Sequence, residues 1–333
     1  MSACLAPSNA HSQTLLTSTL STPSPWLTLR FLYAAAYGLG EESPGDVAPR
    51  RSVGDQHSSS GSPVLFVSLF RPLALWREIG RKLGLDIVGL VRTGRIVYID
   101  GLPSYGEPDS KALGPDVVPT KSTVRLKSLT LEDLDHTLNE GLRILSTPVI
   151  ASSTSASAST RTTGAGAAHA RVPTAAASPF AAAGEVMPVV IVDGIDFVLA
   201  SQQPSVSALS LQSMLATLRA KSQSLVVTCS GDGPLLHNHD GVSASATRLE
   251  ADHALFVTSM AHQSQWLFQL RGLDTGTAND VSGVVRVSRG GAEGDDHRDG
   301  GMSRGPRQED LDDAEWLYQI KGDGSARVWG RGE

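Results

Sequence analysis

The chain alternates short, continuously apolar runs with longer segments in which apolar residues recur every three or four positions. Val64 to Leu69 (VLFVSL), Arg95 to Ile99 (RIVYI), the PVVIVD run ending at Asp193 and Leu225 to Thr228 (LVVT) have the pattern of strands covered on both faces. Thr14 to Ser18 (TLLTS) is a weaker strand candidate. Between them lie helices. Ser24 as N-cap and Pro25 at the first helical position open SPWLTLRFLYAAAYG. Pro72 opens PLALWREIGRKLG, with Leu75, Ile79 and Leu83 spaced for one helical stripe. Thr130 opens TLEDLDHTLNEGLRILS, which carries acids in its first turn and leucines at 131, 134, 138, 142 and 145. Ser207–Lys221 and Glu250–Gln263 read as helices, and Trp266–Leu270 as a strand. The tail segments VSGVVRVSR, EWLYQIKG and ARVWGRG read as antiparallel strands joined by glycine-containing turns. The predicted fold is α/β: a three-layer sandwich with a mostly parallel central sheet and antiparallel C-terminal strands.

Three stretches break the pattern. Residues 41–63 hold only two valines and one alanine as apolar groups. Residues 151–185 draw 27 of their 35 positions from Ala, Ser, Thr and Gly, and residues 290–310 carry 6 Gly and 9 charged groups. Such segments bury too little apolar surface to offset the entropy of ordering, so they are expected to be disordered insertions. Setting them aside leaves a length suited to one large α/β domain rather than the two that 333 residues first suggest.

Composition narrows the function classes. Two cysteines in 333 residues exclude a disulfide framework and point to a reducing compartment. The net charge of -6 argues against a surface that grips nucleic acid everywhere, while leaving room for a local basic patch. The N-terminus lacks the basic and apolar regions of a signal peptide, and the most apolar stretch, Trp26 to Leu39, contains Arg30 and is too short to span a bilayer. The chain is expected to be soluble and intracellular, with no membrane partner.

The candidate chemistry is thin. A strand–turn–helix opening at 14–38 is where a nucleotide-binding domain places its phosphate loop, which needs glycines, a lysine and a Ser or Thr for Mg²⁺. The turn Ser18–Trp26 (STLSTPSPW) has neither glycine nor lysine, and two prolines remove N–H donors. Asp193, followed by Gly194 and Asp196, has the outline of a Walker-B strand end; without a phosphate loop it is read as degenerate, its carboxylate bonded to a turn or a neighbouring loop. Ser230, Asp232 and His253 or His262 form a triad on paper but lack an elbow motif. His237 and His239 beside Asp240 suit a solvated loop better than a metal, and Asp133, Asp135 and His136 suit a helix N-terminus. The loop from Leu270 to Gly291 is the most distinctive. Arg271, Asp274, Thr275, Arg286 and Arg289 are candidate contacts to a partner subunit or an RNA backbone; equally, the Asp and Thr side chains could serve only their own turn. Arg286 and Arg289, three apart on a strand, should face opposite sides.

With these residues in view, the chain resembles the Elongator complex protein 6 family. The resemblance rests on VLFVSLFRPLALWREIGRKLGLDI at 64–87, VVIVDGIDFVLA at 189–200, the block at 249–291 and the EWLYQIKGDGSARVW tail. It implies a RecA-like fold without ATPase signatures and a non-catalytic subunit with no cofactor. It also implies a hetero-hexameric ring with the fourth and fifth Elongator subunits, serving the remaining subunits in wobble-uridine (U34) modification and binding tRNA as an assembled ring. The implied location is cytoplasmic, with the nucleus as a second site. The rival from another class is an active RecA- or kinase-like P-loop nucleotidase using Asp193; a free-standing hydrolase using Ser230 is a further one.

Overall fold

Alternation along each buried strand builds two apolar layers from one run of residues. In β2 (Val64–Ser68), Val64 and Phe66 enter one core while Leu65 and Val67 enter the other. The structure, a computed structural model, describes residues 5, 10–38, 61–102, 122–146, 187–236, 247–273, 276, 278, 280–293, 313–322 and 324–330. Its strands join in a single sheet of ten. In chain order they are β1 (Ser12–Ser18), β2, β3 (Ile96–Asp100), β4 (Thr123–Arg125), β5 (Val189–Asp193), β6 (Ser224–Ser230), β7 (Trp266–Arg271), β8 (Gly283–Arg289), β9 (Ala314–Ile320) and β10 (Ala326–Gly330). The spatial order is β10-β9-β8-β7-β1-β6-β5-β2-β3-β4. Pairings from β7 through β4 are all parallel, and β8, β9 and β10 add antiparallel ladders.

On one face lie α1 (Pro25–Tyr37), α2 (Leu73–Lys82) and α3 (Ile87–Arg92). The other face is covered by α4 (Leu131–Ser146), α5 (Asp196–Ser201), α6 (Ala208–Ala220) and α8 (Arg248–Gln263); a short α7 (Gly233–Leu236) follows β6. The result is the α/β sandwich expected, with its mostly parallel sheet and antiparallel C-terminal strands. α4 buries Leu134, Leu138 and Leu142 as its leucine spacing predicts.

Local expectations differ in two helices. Ser24 precedes α1 but its backbone is already helical and its side chain makes no cap bond; Pro25 starts the helix without it. In α2 the buried side is Leu73, Trp76 and Gly80, with Ile79 and Leu83 half-buried beside it. The indole of Trp76 dominates the packing, so the stripe is rotated from the Leu75–Ile79–Leu83 line. Elements α3, β4, α5 and α7 span only three to six residues and left no periodic signal.

The antiparallel extension is tied to the parallel sheet by aromatic contacts. Trp26 of α1 lies 4.9 Å from Tyr318 of β9, and Phe31 meets Phe268 edge-on at 5.2 Å. Arg30 donates to the carbonyl of Ala326 at 2.7 Å. Of the three low-complexity stretches, residues 61–63 and 290–293 are described. Ser62 N–H donates to Ala35, and Gly291–Glu293 make one 3₁₀ turn. The remainder of those stretches lies outside the described residues.

Candidate functional site

In an open parallel sheet, ligands gather at the carboxyl ends of strands where successive connections leave on opposite faces. Two such points occur: between β1 and β6, where α1 follows β1 onto one face and α8 follows β6 on the other, and between β5 and β2, where α5 and α2 leave on opposite faces.

At the end of β1, the turn that would wrap phosphate is satisfied from within. Thr19 N–H donates to Leu270 O at 3.4 Å, and Thr22 N–H donates to Thr19 O at 3.0 Å. Leu20 N–H donates to Asp232 Oδ1 at 3.0 Å, while Asp232 Oδ2 accepts from Ser230 Oγ at 2.8 Å. A carboxylate of this chain therefore occupies a donor that a phosphate would need, and its charge opposes any phosphate nearby. Pro23 and Pro25 contribute no N–H.

Asp193, read from the sequence as a degenerate Walker-B-like position, is fully buried at the end of β5. Arg71, just past the end of β2, places Nη1 at 2.6 Å from Oδ1 and 2.8 Å from Oδ2 of Asp193. Thr228 and Ser68 hydroxyls donate to the same carboxylate at 3.0 and 3.3 Å. Trp76 Nε1 donates to Ser68 Oγ at 2.9 Å, and Tyr98 donates from its hydroxyl to the Arg71 carbonyl at 3.2 Å. Burial raises the Asp193 carboxyl above the ordinary range; Arg71, Thr228 and Ser68 pull it back. The Asp193 carboxylate is thus bonded to the loop that follows β2. Asp100 repeats the pattern at the end of β3: burial raises it, and Arg125 lies 3.5 Å away.

An aromatic pair borders this network. The Arg71 guanidinium stacks 4.0 Å above the Phe70 ring, and Phe70 lies 6.3 Å from Phe197. Phe70 packs against Gly194, whose φ of +74° and closeness to the ring (a Cβ would lie 2.1 Å from it) leave no room for a side chain.

The paper triad is not assembled. His253 Nε2 approaches the backbone carbonyl of Ser230 at 3.1 Å rather than its hydroxyl, which is bonded to Asp232. His262 lies at the far end of the same helix. His237, His239 and Asp240 lie outside the described residues, and no metal-binding cluster exists among those described. In α4, Asp133 accepts from Ser128 and Asp135 from Asn139.

Of the candidate contact residues that are described, Arg271 and Arg286 share a face beside Glu315, and Arg289 lies on the other. Arg286 pairs with Asp313, and Arg271 with Glu315 at 3.1 Å. Cross-strand register puts Arg286 opposite Gln269 but Arg289 opposite Trp266, whose ring it stacks over at 4.8 Å. The two arginines therefore occupy opposite faces, as their spacing predicts. Asp274 and Thr275 lie outside the described residues. The features that sequence reasoning missed are Arg71 and the Phe70–Phe197 pair. Only the β2–β5 pairing brings them to Asp193, and the sequence carries no signal for that pairing.

A family model described as Elongation complex protein 6 matches residues 56–302. The chain belongs to that family. The match spans the first three sequence blocks that carried the resemblance and stops before the tail. No curated protein matches the chain. Among solved structures it is similar to the KaiC-like protein PH0186 from the hyperthermophilic archaeon Pyrococcus horikoshii OT3. Identity is 12%, coverage is 96% of this chain and 90% of that one, and the TM-score is 0.47. No helix among the described residues is long and apolar enough to cross a membrane.

Proposed function

We propose that this Elongation complex protein 6 family member is a non-catalytic, scaffolding subunit in a hetero-hexameric ring with the fourth and fifth Elongator subunits. The ring holds tRNA on its joint surface while other subunits of the complex carry out U34 modification, in the cytoplasm and the nucleus. One observation carries the reading. The two positions a nucleotidase would use are both occupied by the chain's own side chains, Arg71 on Asp193 and Asp232 on the Leu20 N–H. A subunit that has closed its nucleotide site retains the fold's surfaces, and those suit assembly. Shared tRNA binding also fits a net charge of -6, since phosphate contacts require clustered Lys and Arg. The candidate contacts Arg271 and Arg286 already have acidic partners, so any tRNA contact through them is made jointly with neighbours.

Co-expression with the fourth and fifth subunits, followed by native mass spectrometry, tests the proposal. The expected species contains two copies of each chain. A chain that stays alone, or that assembles only with itself, sinks the ring.

A further inference from the structure

β10 stands at one end of the sheet, and among the described residues only β9 pairs with it. The phase of that ladder fixes which backbone groups of β10 are left over. In β9 the Tyr318 carbonyl accepts from the N–H of Ser282, just before β8, at 2.8 Å, and Lys321 N–H donates to Ser325 O at 2.9 Å. Alternation along an antiparallel pair then bonds Arg327 to Gln319 and turns the N–H and C=O of Ala326 and Val328 away from β9. In agreement, the Ala326 carbonyl accepts from Arg30 Nη2 at 2.7 Å. The N–H and C=O of Val328 have no hydrogen bond among the described residues. Such an edge is a template for another strand.

The side chains along the edge set its charge. Arg30 is half-buried, with its guanidinium 5.4 Å from the Trp26 ring centroid, and burial lowers its pKa. Arg327 is exposed over the ring of Trp329 at 5.6 Å, and Lys321 is exposed where the β9–β10 turn begins. None of these three cations has a carboxylate within ion-pair distance among the described residues. Their placement is ordered. Ala326 and Val328 pack on the α1 side of the sheet, where Arg30 lies, so Arg327 faces the other side. A partly desolvated guanidinium gains most from an anion that reaches it.

These features select the occupant. An extended protein segment brings both an acceptor for Val328 N–H and a donor for Val328 O. A phosphate backbone has no donor spaced to meet that carbonyl, so it matches half of the edge. A second copy, paired two-fold about Val328, would set Gly330 opposite Ala326 and Trp329 opposite Arg327. It would add two more arginines and no carboxylate.

We propose that the β10 edge takes up an extended segment of another protein as an additional antiparallel strand that reads apolar–acidic–acidic along its own chain. The apolar residue lies opposite Val328, the first acid opposite Arg327, and the second opposite Ala326, on the side from which Arg30 approaches. Side chains on both sides of the added strand are thereby specified, as strand addition requires. The inference goes beyond the subunit reading and does not need the ring.

Selection of random short peptides displayed on phage against the purified full chain tests it. The expected outcome is enrichment of sequences sharing an apolar–acidic–acidic run. A synthetic peptide of the most enriched sequence should slow hydrogen exchange at Val328 N–H about tenfold or more. Val328→Pro removes the outward N–H at an edge position that tolerates proline, and should weaken binding of that peptide about tenfold. Arg327→Glu, at an exposed site, should weaken it about as much. In Arg30→Met, with folding checked by urea denaturation, the preference for the second acid should disappear. No enrichment, enriched sequences without the acidic pair, unchanged exchange at Val328, or binding indifferent to Val328→Pro and Arg327→Glu overturns the proposal. So does self-association that Val328→Pro abolishes, or protection of Val328 by polyuridylate but not by the peptide.

Discussion

Arg71→Met is expected to destabilise the fold by about 3–5 kcal/mol, because it strands the fully buried Asp193 carboxylate without its cation. Urea denaturation reads this directly. Adding Asp193→Asn should recover most of the loss, since the amide oxygen can accept from Thr228 and the amide nitrogen can donate to Ser68 Oγ, whose own proton then goes to the Arg71 carbonyl, with no charge to desolvate. The pH dependence has a definite sign. In Arg71→Met the folded carboxyl is raised above its unfolded value by burial, so the native state binds the proton more tightly. The variant then gains stability as pH falls through the raised value towards about 4 and loses it as pH rises. A cost under about 1 kcal/mol, or no recovery in the double variant, would show that Arg71 does not neutralise Asp193.

The second large effect concerns Tyr318. Its ring is fully buried against Trp26 and joins the antiparallel tail to α1. Tyr318→Ala should cost about 3–5 kcal/mol, the usual range for deleting a buried aromatic ring. Because β9 belongs to the same sheet as β1, the loss is expected as a shift of one cooperative transition rather than melting of a separate tail. Tyr318→Phe should be neutral or slightly stabilising, because the buried hydroxyl makes no well-formed hydrogen bond among the described residues and has Thr22 nearby. Burial pushes that phenol up to about 12 from 10.0. Its neutral form therefore adds stability that is complete below pH 10 and lost as pH rises towards 12, a component that Tyr318→Phe removes. Two resolved transitions in Tyr318→Ala would contradict the proposal of one domain.

Much of the fold is legible in the sequence because parallel strands covered on both faces must be continuously apolar. VLFVS and VVIVD have no other economical reading, and their fully buried patterns follow. The leucine line of α4 is equally direct. What escapes is of two kinds. Short elements such as β4 and α7 present too few residues for a period. The rotated face of α2 depends on where the indole of Trp76 finds Ser68, a tertiary contact that no helical wheel contains. At the site, the missing phosphate loop is legible as an absence of glycine and lysine in STLSTPSPW. The occupants are not. Arg71 lies 122 positions from Asp193 and Asp232 lies 212 from Leu20, so each pair exists only through strand order. Asp232 even suggested a catalytic triad, and its carboxylate is instead bonded to the β1 turn.

If the chain's own arginine and aspartate close the nucleotide site, calorimetric titration of the purified chain with Mg·ATP gives no saturable heat and no turnover. Saturable binding accompanied by phosphate release, both lost in Asp193→Asn, would show instead that the site is open.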